Sequence, residues 1–131
     1  MSKYLLDSNI IIDFLIGREE AINLLNEIKK IDDFPATSPL CIAEVQLGVK
    51  KEEEKNTNIF LNSLKVYDVN RTIANKAGTY IRKYKNKGIT LPLIDTLIAT
   101  TCIINNLILV TYDTKHYPIQ DLKLWPLPWL E

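Results

Sequence analysis

One histidine, His116, and two cysteines, Cys41 and Cys102, make up the whole nitrogen and sulfur ligand supply of this 131-residue sequence. The cysteines lie far apart in unlike contexts, which excludes a disulfide framework and a CxxC metal or redox motif; reduced, cytosolic thiols are the default. A zinc site therefore has no ligand set. Charge of one sign is also missing. Sixteen basic residues meet sixteen acidic ones, so no general attraction draws in polyanions or membranes, and any nucleic-acid contact must be local. The apolar stretch Tyr4–Ile16 is interrupted by Asp7 and Asp13 and has no small-residue cleavage site, so it does not read as an export signal and a cytoplasmic protein is expected. The longest uncharged run, Thr96–Tyr112, nears membrane-spanning length, but Asn105 and Asn106 divide it into a helix and a strand. What is present is 47% hydrophobic residues in a chain of common domain size. Residues 1–131 are expected to form one domain that hides roughly two thirds of its unfolded surface.

Tyr4-Leu5-Leu6 reads as a short apolar strand ending at Asp7, and Asp7-Ser8-Asn9 offers capping side chains for a helix through Ile10–Leu15. A second helix, Glu19–Ile31, puts Ile22, Leu24, Leu25 and Ile28 on its inner stripe. Phe34–Thr37 is brief and extended, and Ser38 before Pro39 starts a third helix that runs to about Gly48. Ile59, Phe60, Leu61 and Leu64 recur at helical spacing, and Lys65–Val69 reads as a strand. Arg71–Asn86 is helical with Ile73, Ala77, Ile81 and Tyr84 inward; Gly88 stops it, Leu93–Asn105 is a further helix, and Leu107–Val110 is a buried strand. The tail adds Leu122–Trp125. Alternation of this kind predicts a three-layer α/β/α sandwich around a mostly parallel sheet of about five strands. Ligands in such sheets bind beyond the carboxyl ends of the strands, where strand order reverses.

Four acids stand where that rule directs attention. Asp7 follows the first strand and Asp113 lies three residues after Val110. Glu44 sits in the apolar segment Leu40–Leu47, where little helix surface is expected to meet water, and Asp95 shares an inward face with Ile98, Ala99, Cys102 and Ile103. Lysine and arginine are almost absent around Asp7, Glu44 and Asp95. Packed together, the carboxylates would raise one another's pKa, and a hard divalent cation with oxygen ligands, Mg²⁺ or Mn²⁺, is the remedy. Spacing alone leaves blander roles equally open: Asp7 as a helix cap, Asp113 in a turn, and Asp95 opposing a helix dipole.

Taken in order, these segments resemble the PIN-domain nucleases, and in particular the VapC-type toxins of toxin–antitoxin modules. Tyr4-Leu5-Leu6-Asp7-Ser8-Asn9 is similar to the family's opening strand, acid and hydroxyl residue. Thr37-Ser38-Pro39 through Glu44-Val45-Gln46-Leu47-Gly48 resembles its second motif, and Leu93-Ile94-Asp95-Thr96-Leu97-Ile98-Ala99 its third, the most specific segment. Thr111-Tyr112-Asp113 with His116-Tyr117 resembles the fourth. Ser8 stands where threonine is common, and no acid is missing. The resemblance implies RNA cleavage at an acidic pocket holding Mg²⁺ or Mn²⁺, with a metal-activated water, 5′-phosphate and 3′-hydroxyl products, and no nucleophilic side chain. Asp7, Asp95 and Asp113 would coordinate the metal directly or through water, and Glu44 would coordinate it or position the attacking water. Ser8, Asn9 and Thr111 would orient the carboxylates, while Asp13 and His116 are expected to be structural. A cognate antitoxin blocking the pocket and a homodimer are implied as well.

No acidic residue occurs from Val69 to Ile94, yet six basic residues do. Lys76, Lys83 and Lys87 fall on one helical flank with Arg82 opposite, a surface that either grips RNA phosphates or is a solvated face. The segment Trp125–Leu130 is apolar and broken by proline, which suggests docking on the domain's own surface. Other readings remain. A receiver-like signalling domain would use Asp68 and Lys115 but lacks the acid pair after the first strand. A dehalogenase-type phosphatase would need an acid where Asn9 stands, and a non-catalytic cation-binding protein would melt in a metal-dependent way without cutting RNA.

Overall fold

The computed structural model describes residues 2–126 of the chain. Ten elements alternate along it: β1 (Tyr4–Leu6), α1 (Ser8–Leu15), α2 (Glu19–Lys29), β2 (Ala36–Thr37), α3 (Pro39–Leu47), α4 (Glu54–Asn62), β3 (Lys65–Val66), α5 (Arg71–Lys85), α6 (Leu93–Ile104) and β4 (Ile108–Val110). All pairings in the sheet are parallel, in the order β3-β2-β1-β4. Four strands form instead of about five. The expected tail strand is reduced to a single parallel bridge, Leu109 to Leu124, tied by Leu109 N to Lys123 O and Trp125 N to Leu109 O, both at 2.9 Å. Pro126, which has no N–H to donate, follows Trp125. The strand read over Lys65–Val69 likewise pairs only at Lys65–Val66.

Successive side chains of a strand point to opposite faces, and β1 divides its residues accordingly. Leu5 enters a core with Cys41, Tyr80, Tyr84, Ile98, Cys102, Leu109 and Tyr117, under α5 and α6. Tyr4 and Leu6 enter another with Ile10, Ile11, Leu24, Leu25, Ile28, Val45 and Val110, under α1 and α2. The predicted sandwich is thus present. On α5 the inner face is Ile73, Ala77, Tyr80 and Tyr84, with Tyr80 fully packed where Ile81 was expected and Ile81 half-buried beside it. The apolar run Thr96–Tyr112 divides as expected between α6 and β4, and Asn106 makes the reversal at φ 55°, a left-handed conformation that asparagine tolerates. Among the described residues no helix is long and apolar enough to cross a membrane. Trp125 packs edge-on against Tyr4, with ring centroids 5.1 Å apart, consistent with docking of the tail; Leu127–Leu130 lie outside the described residues.

Asp32, just past the end of α2, is a buried staple. Its Oδ2 accepts Lys3 N at 2.7 Å and Tyr4 N at 3.0 Å, and its Oδ1 accepts Phe34 N at 3.2 Å, so the start of β1 is held against the chain that enters β2.

Candidate active site

Strand order turns at β1: the chain leaves it through β2 and β3 on one side and returns through β4 on the other. Asp7 stands at the carboxyl end of this turning point. Its N–H continues the ladder to Val110 O at 3.0 Å, and its side chain caps α1 by accepting Ser8 N at 2.8 Å. Capping and site placement therefore coexist in one carboxylate, which is 5% exposed. Its Oδ2 accepts the Thr111 hydroxyl at 2.8 Å and the Tyr117 hydroxyl at 2.9 Å, and its Oδ1 also faces the Cys41 thiol at 3.7 Å.

The other acids arrive from three further segments. Ser38 caps α3 by accepting Leu40 N at 3.1 Å, and Pro39 takes the first helical position. This brings Glu44 toward Asp7, so that ligand atoms of Asp7, Cys41 and Glu44 lie within 4.8 Å of one another. Ser8 Oγ donates to Glu44 Oε1 at 3.1 Å. Contrary to the expectation of a water-poor helix surface, Glu44 is exposed: α3 places Cys41 in one core and Val45 in the other, leaving Glu44 at the mouth between them. Asp113 follows β4, and Asn9 ties it in by donating Nδ2 to Asp113 Oδ2 at 3.1 Å and to Thr111 Oγ1 at 3.2 Å. Thr111 Oγ1 also accepts Asp113 N at 3.1 Å. Asp95, in the first turn of α6, faces Tyr117 and the imidazole of His116, whose Nδ1 is 3.7 Å from Asp95 Oδ2. His116, expected to be structural, thus borders the acidic group. Asp13 pairs instead with Arg18 at 3.5 Å.

Among the described residues, no lysine or arginine forms an ion pair with Asp7, Glu44, Asp95 or Asp113. Burial raises the pKa of Glu44, and the charges of Asp7 and Asp95 raise it further against the Ser8 hydrogen bond. Burial likewise raises Asp95, followed by the charge of Asp7, while His116 opposes. This is the electrostatic pattern of oxygen donors arranged for a hard cation. Cys41 does not alter the donor set, because burial and the neighbouring Asp7 push its thiol far up and it stays an S–H donor behind the carboxylate. The oxygens of these acids fit Mg²⁺ or Mn²⁺ better than zinc.

Cys41 and Tyr117 are the contacts that sequence reasoning missed. Cys41 precedes Glu44 by three residues on one helix face, a spacing that could have placed it. Tyr117 stands in the fourth motif, but the motif does not say that its hydroxyl reaches Asp7. The basic residues lie on and beyond α5, which packs along α6. Lys76 Nζ is 5.1 Å above the Tyr80 ring and Lys87 Nζ 5.4 Å above Tyr84, while Arg82 and Lys83 are exposed. Asp68 follows β3 at the sheet edge, so the central phosphoacceptor that a receiver-like domain needs is not there.

This parallel sheet, with an acid at the end of its turning strand and further acids on the neighbouring segments, defines an α/β domain with an acidic site. Comparison with known families makes it specific: the chain belongs to the PIN domain family, whose model matches residues 4–122. Ribonuclease VapC10 of Mycobacterium tuberculosis is 32% identical over 120 residues, covering 91% of this chain and 90% of that protein. Ribonuclease VapC19 of the same organism is 30% identical over 115 residues, 88% of this chain and 92% of the relative. Among solved structures, VapBC2 from Rickettsia felis, bound to a DNA fragment from its promoter, superposes with a TM-score of 0.81 at 28% identity, covering 94% of this chain and 98% of that one. A toxin–antitoxin complex from Klebsiella pneumoniae gives a TM-score of 0.74 at 30% identity, over 92% and 95%. The family resemblance read from the four motifs is borne out.

Proposed function

We propose that this chain is a VapC-type toxin, a Mg²⁺- or Mn²⁺-dependent endoribonuclease that hydrolyses RNA phosphodiester bonds. One observation carries the reading: Asp7 and Glu44 have ligand atoms within 4.8 Å of each other, Asp113 is tied to Asp7 through Asn9 and Thr111, Asp95 is near enough to feel the charge of Asp7, and among the described residues no lysine or arginine pairs with any of the four. The names of the VapC ribonuclease relatives support the same activity. Asp7, Asp95 and Asp113 would hold the cation directly or through water, and Glu44, at the solvent-facing mouth, would hold it or orient the attacking water. A divalent cation bound there supplies Lewis-acid polarisation of the phosphate and lowers the pKa of a water. Ser8 fixes Glu44, and Asn9 and Thr111 fix Asp113 and Asp7, so the acids keep their spacing while substrate enters. With one histidine in the chain, a two-histidine acid–base mechanism is not available.

Lys76, Arg82, Lys83 and Lys87 are assigned to RNA phosphates, on the basis of the acid-free segment that carries them next to α6. A cognate antitoxin that covers the pocket is the expected partner, because the solved relatives include toxin–antitoxin complexes. A homodimer and a cytoplasmic location complete the proposal. Purified protein should cleave RNA with Mg²⁺ or Mn²⁺ and stop on chelation, and Asp7→Asn should abolish cleavage while keeping the circular dichroism of the fold. Undiminished cleavage by the folded variant would refute the assignment.

A further inference from the structure

The Asp7 carboxylate accepts from donors that carry no charge. Ser8 N and, at 3.7 Å, the Cys41 thiol address Oδ1; the Thr111 and Tyr117 hydroxyls address Oδ2. Donors on both oxygens hold its plane and rotation fixed. Three of the donors come from the backbone or from short side chains of elements that flank the strand end. Tyr117 is different. It reaches Asp7 across 110 residues of sequence, from the segment that follows the turn Thr114–His116. Its ring is 3% exposed and packs in the core with Leu5, Ile98 and Cys102. Asp95, in the first turn of α6, is near enough for its charge to act on that hydroxyl.

A tyrosine hydroxyl has one hydrogen to give, and here it goes to Asp7 Oδ2 at 2.9 Å. We infer that Tyr117 is a positioning residue of the acidic centre, its hydroxyl donating to Asp7 Oδ2 so that this carboxylate is held in the orientation a divalent cation takes up. An arginine or lysine in this place would orient the same oxygens but cancel the charge that attracts the cation; a neutral hydroxyl orients without cancelling. The ring and the hydroxyl have separable roles, because core packing needs only the ring. This inference rests on the reading of the acidic group as a cation site, and its test can fail independently of that reading.

The test is a calorimetric titration of the purified full-length chain with Mn²⁺, with thermal melting in chelator as the fold control. Tyr117→Phe keeps the ring and removes the donor, and it should bind Mn²⁺ about tenfold more weakly than wild type, the usual loss when a residue that orients a metal ligand is changed. Tyr80→Phe is the matched control: it removes a tyrosine hydrogen bond of the same length, 2.9 Å to Asp121, outside the acidic group. It should lower the melting temperature and leave Mn²⁺ affinity unchanged. If phenylalanine fails to pack, Tyr117→Met fills the same irregular space and is read the same way. Affinity within about twofold of wild type for Tyr117→Phe, or an equal loss in Tyr80→Phe, overturns the role of Tyr117. Wild-type protein that binds no Mn²⁺ overturns the cation site itself, and this inference with it.

Discussion

Replacing Thr111 by valine tests how the acidic group is held together without a cation. Thr111 is 1% exposed, and valine matches its shape and β-branching, so the change removes a hydroxyl and little else. That hydroxyl donates to Asp7 Oδ2 at 2.8 Å and accepts from Asp113 N at 3.1 Å and Asn9 Nδ2 at 3.2 Å. The bond to the carboxylate is of the charge-assisted kind, worth about 1.5–3 kcal/mol, and the orphaned Asp113 N–H adds about 0.5–1.5 kcal/mol. Asn9 loses almost nothing, since its Nδ2 keeps Asp113 Oδ2 at 3.1 Å. The expected destabilisation is about 2–4.5 kcal/mol. With an unfolding entropy near 2.1 cal/mol/K per residue over 131 residues, this lowers Tm by about 7–16 °C. Melting followed by circular dichroism in excess chelator reads it directly. Mn²⁺ affinity should fall about 10–100-fold in the same variant. A Tm within about 2 °C of wild type, the scatter of an ordinary surface substitution, would show that the hydroxyl does not hold Asp7 and Asp113 together.

Asp95→Asn should stabilise the metal-free protein at neutral pH. The pKa of Asp95 is raised in the fold, by burial first and by Asp7 next. A raised group contributes stability that is fully present below its unfolded value and lost as pH rises through the folded one. The Tm advantage of the variant in chelator should therefore grow from nothing below about pH 4 to its full size above the raised pKa, and a pH-independent difference would refute the cause. For the basic patch, Lys83→Ala should reduce the slope of log RNA affinity against log salt by about one while leaving kcat unchanged; an unchanged slope would mark Lys83 as a solvated residue only.

The path from residues to fold was legible wherever local chemistry decided the outcome. Asp7-Ser8-Asn9 announces a cap, Ser38-Pro39 a helix start, and Asn105-Asn106 a reversal, and each is realised in the structure. Legibility fails where a residue answers to partners far away in the chain. Glu44 has apolar neighbours on both sides in sequence, yet it faces water, because α3 lies between two cores and each takes one of its apolar residues. Asp32 looks like a helix terminator, but its carboxylate binds the backbone of Lys3 and Tyr4, about thirty positions earlier. The sheet is narrower than the apolar pattern predicts, since Val69 and Leu122 carry strand character without strand partners.

The same distinction explains why the acids, with Ser8, Asn9 and Thr111 beside them, could be found while Cys41 and Tyr117 could not. Carboxylates stand out in a sequence by lacking nearby cations. A cysteine or a tyrosine that donates to one of them looks like any other core residue. Side-chain cations would have stabilised the acids and closed the site to a metal ion. The fold instead surrounds Asp7 with an amide, a thiol and two hydroxyls, places an imidazole at the rim beside Asp95, and leaves the mutual repulsion of the four acids in place. Burial first, and that repulsion after it, raise the pKa of Glu44 and Asp95 and so cost stability in the empty protein at neutral pH. It also follows from linkage that a cation drawn to the site by this charge returns stability in proportion to the logarithm of its occupancy. The electrostatic strain that weakens the metal-free fold and the affinity that would fill the site are therefore two expressions of the same arrangement of charge.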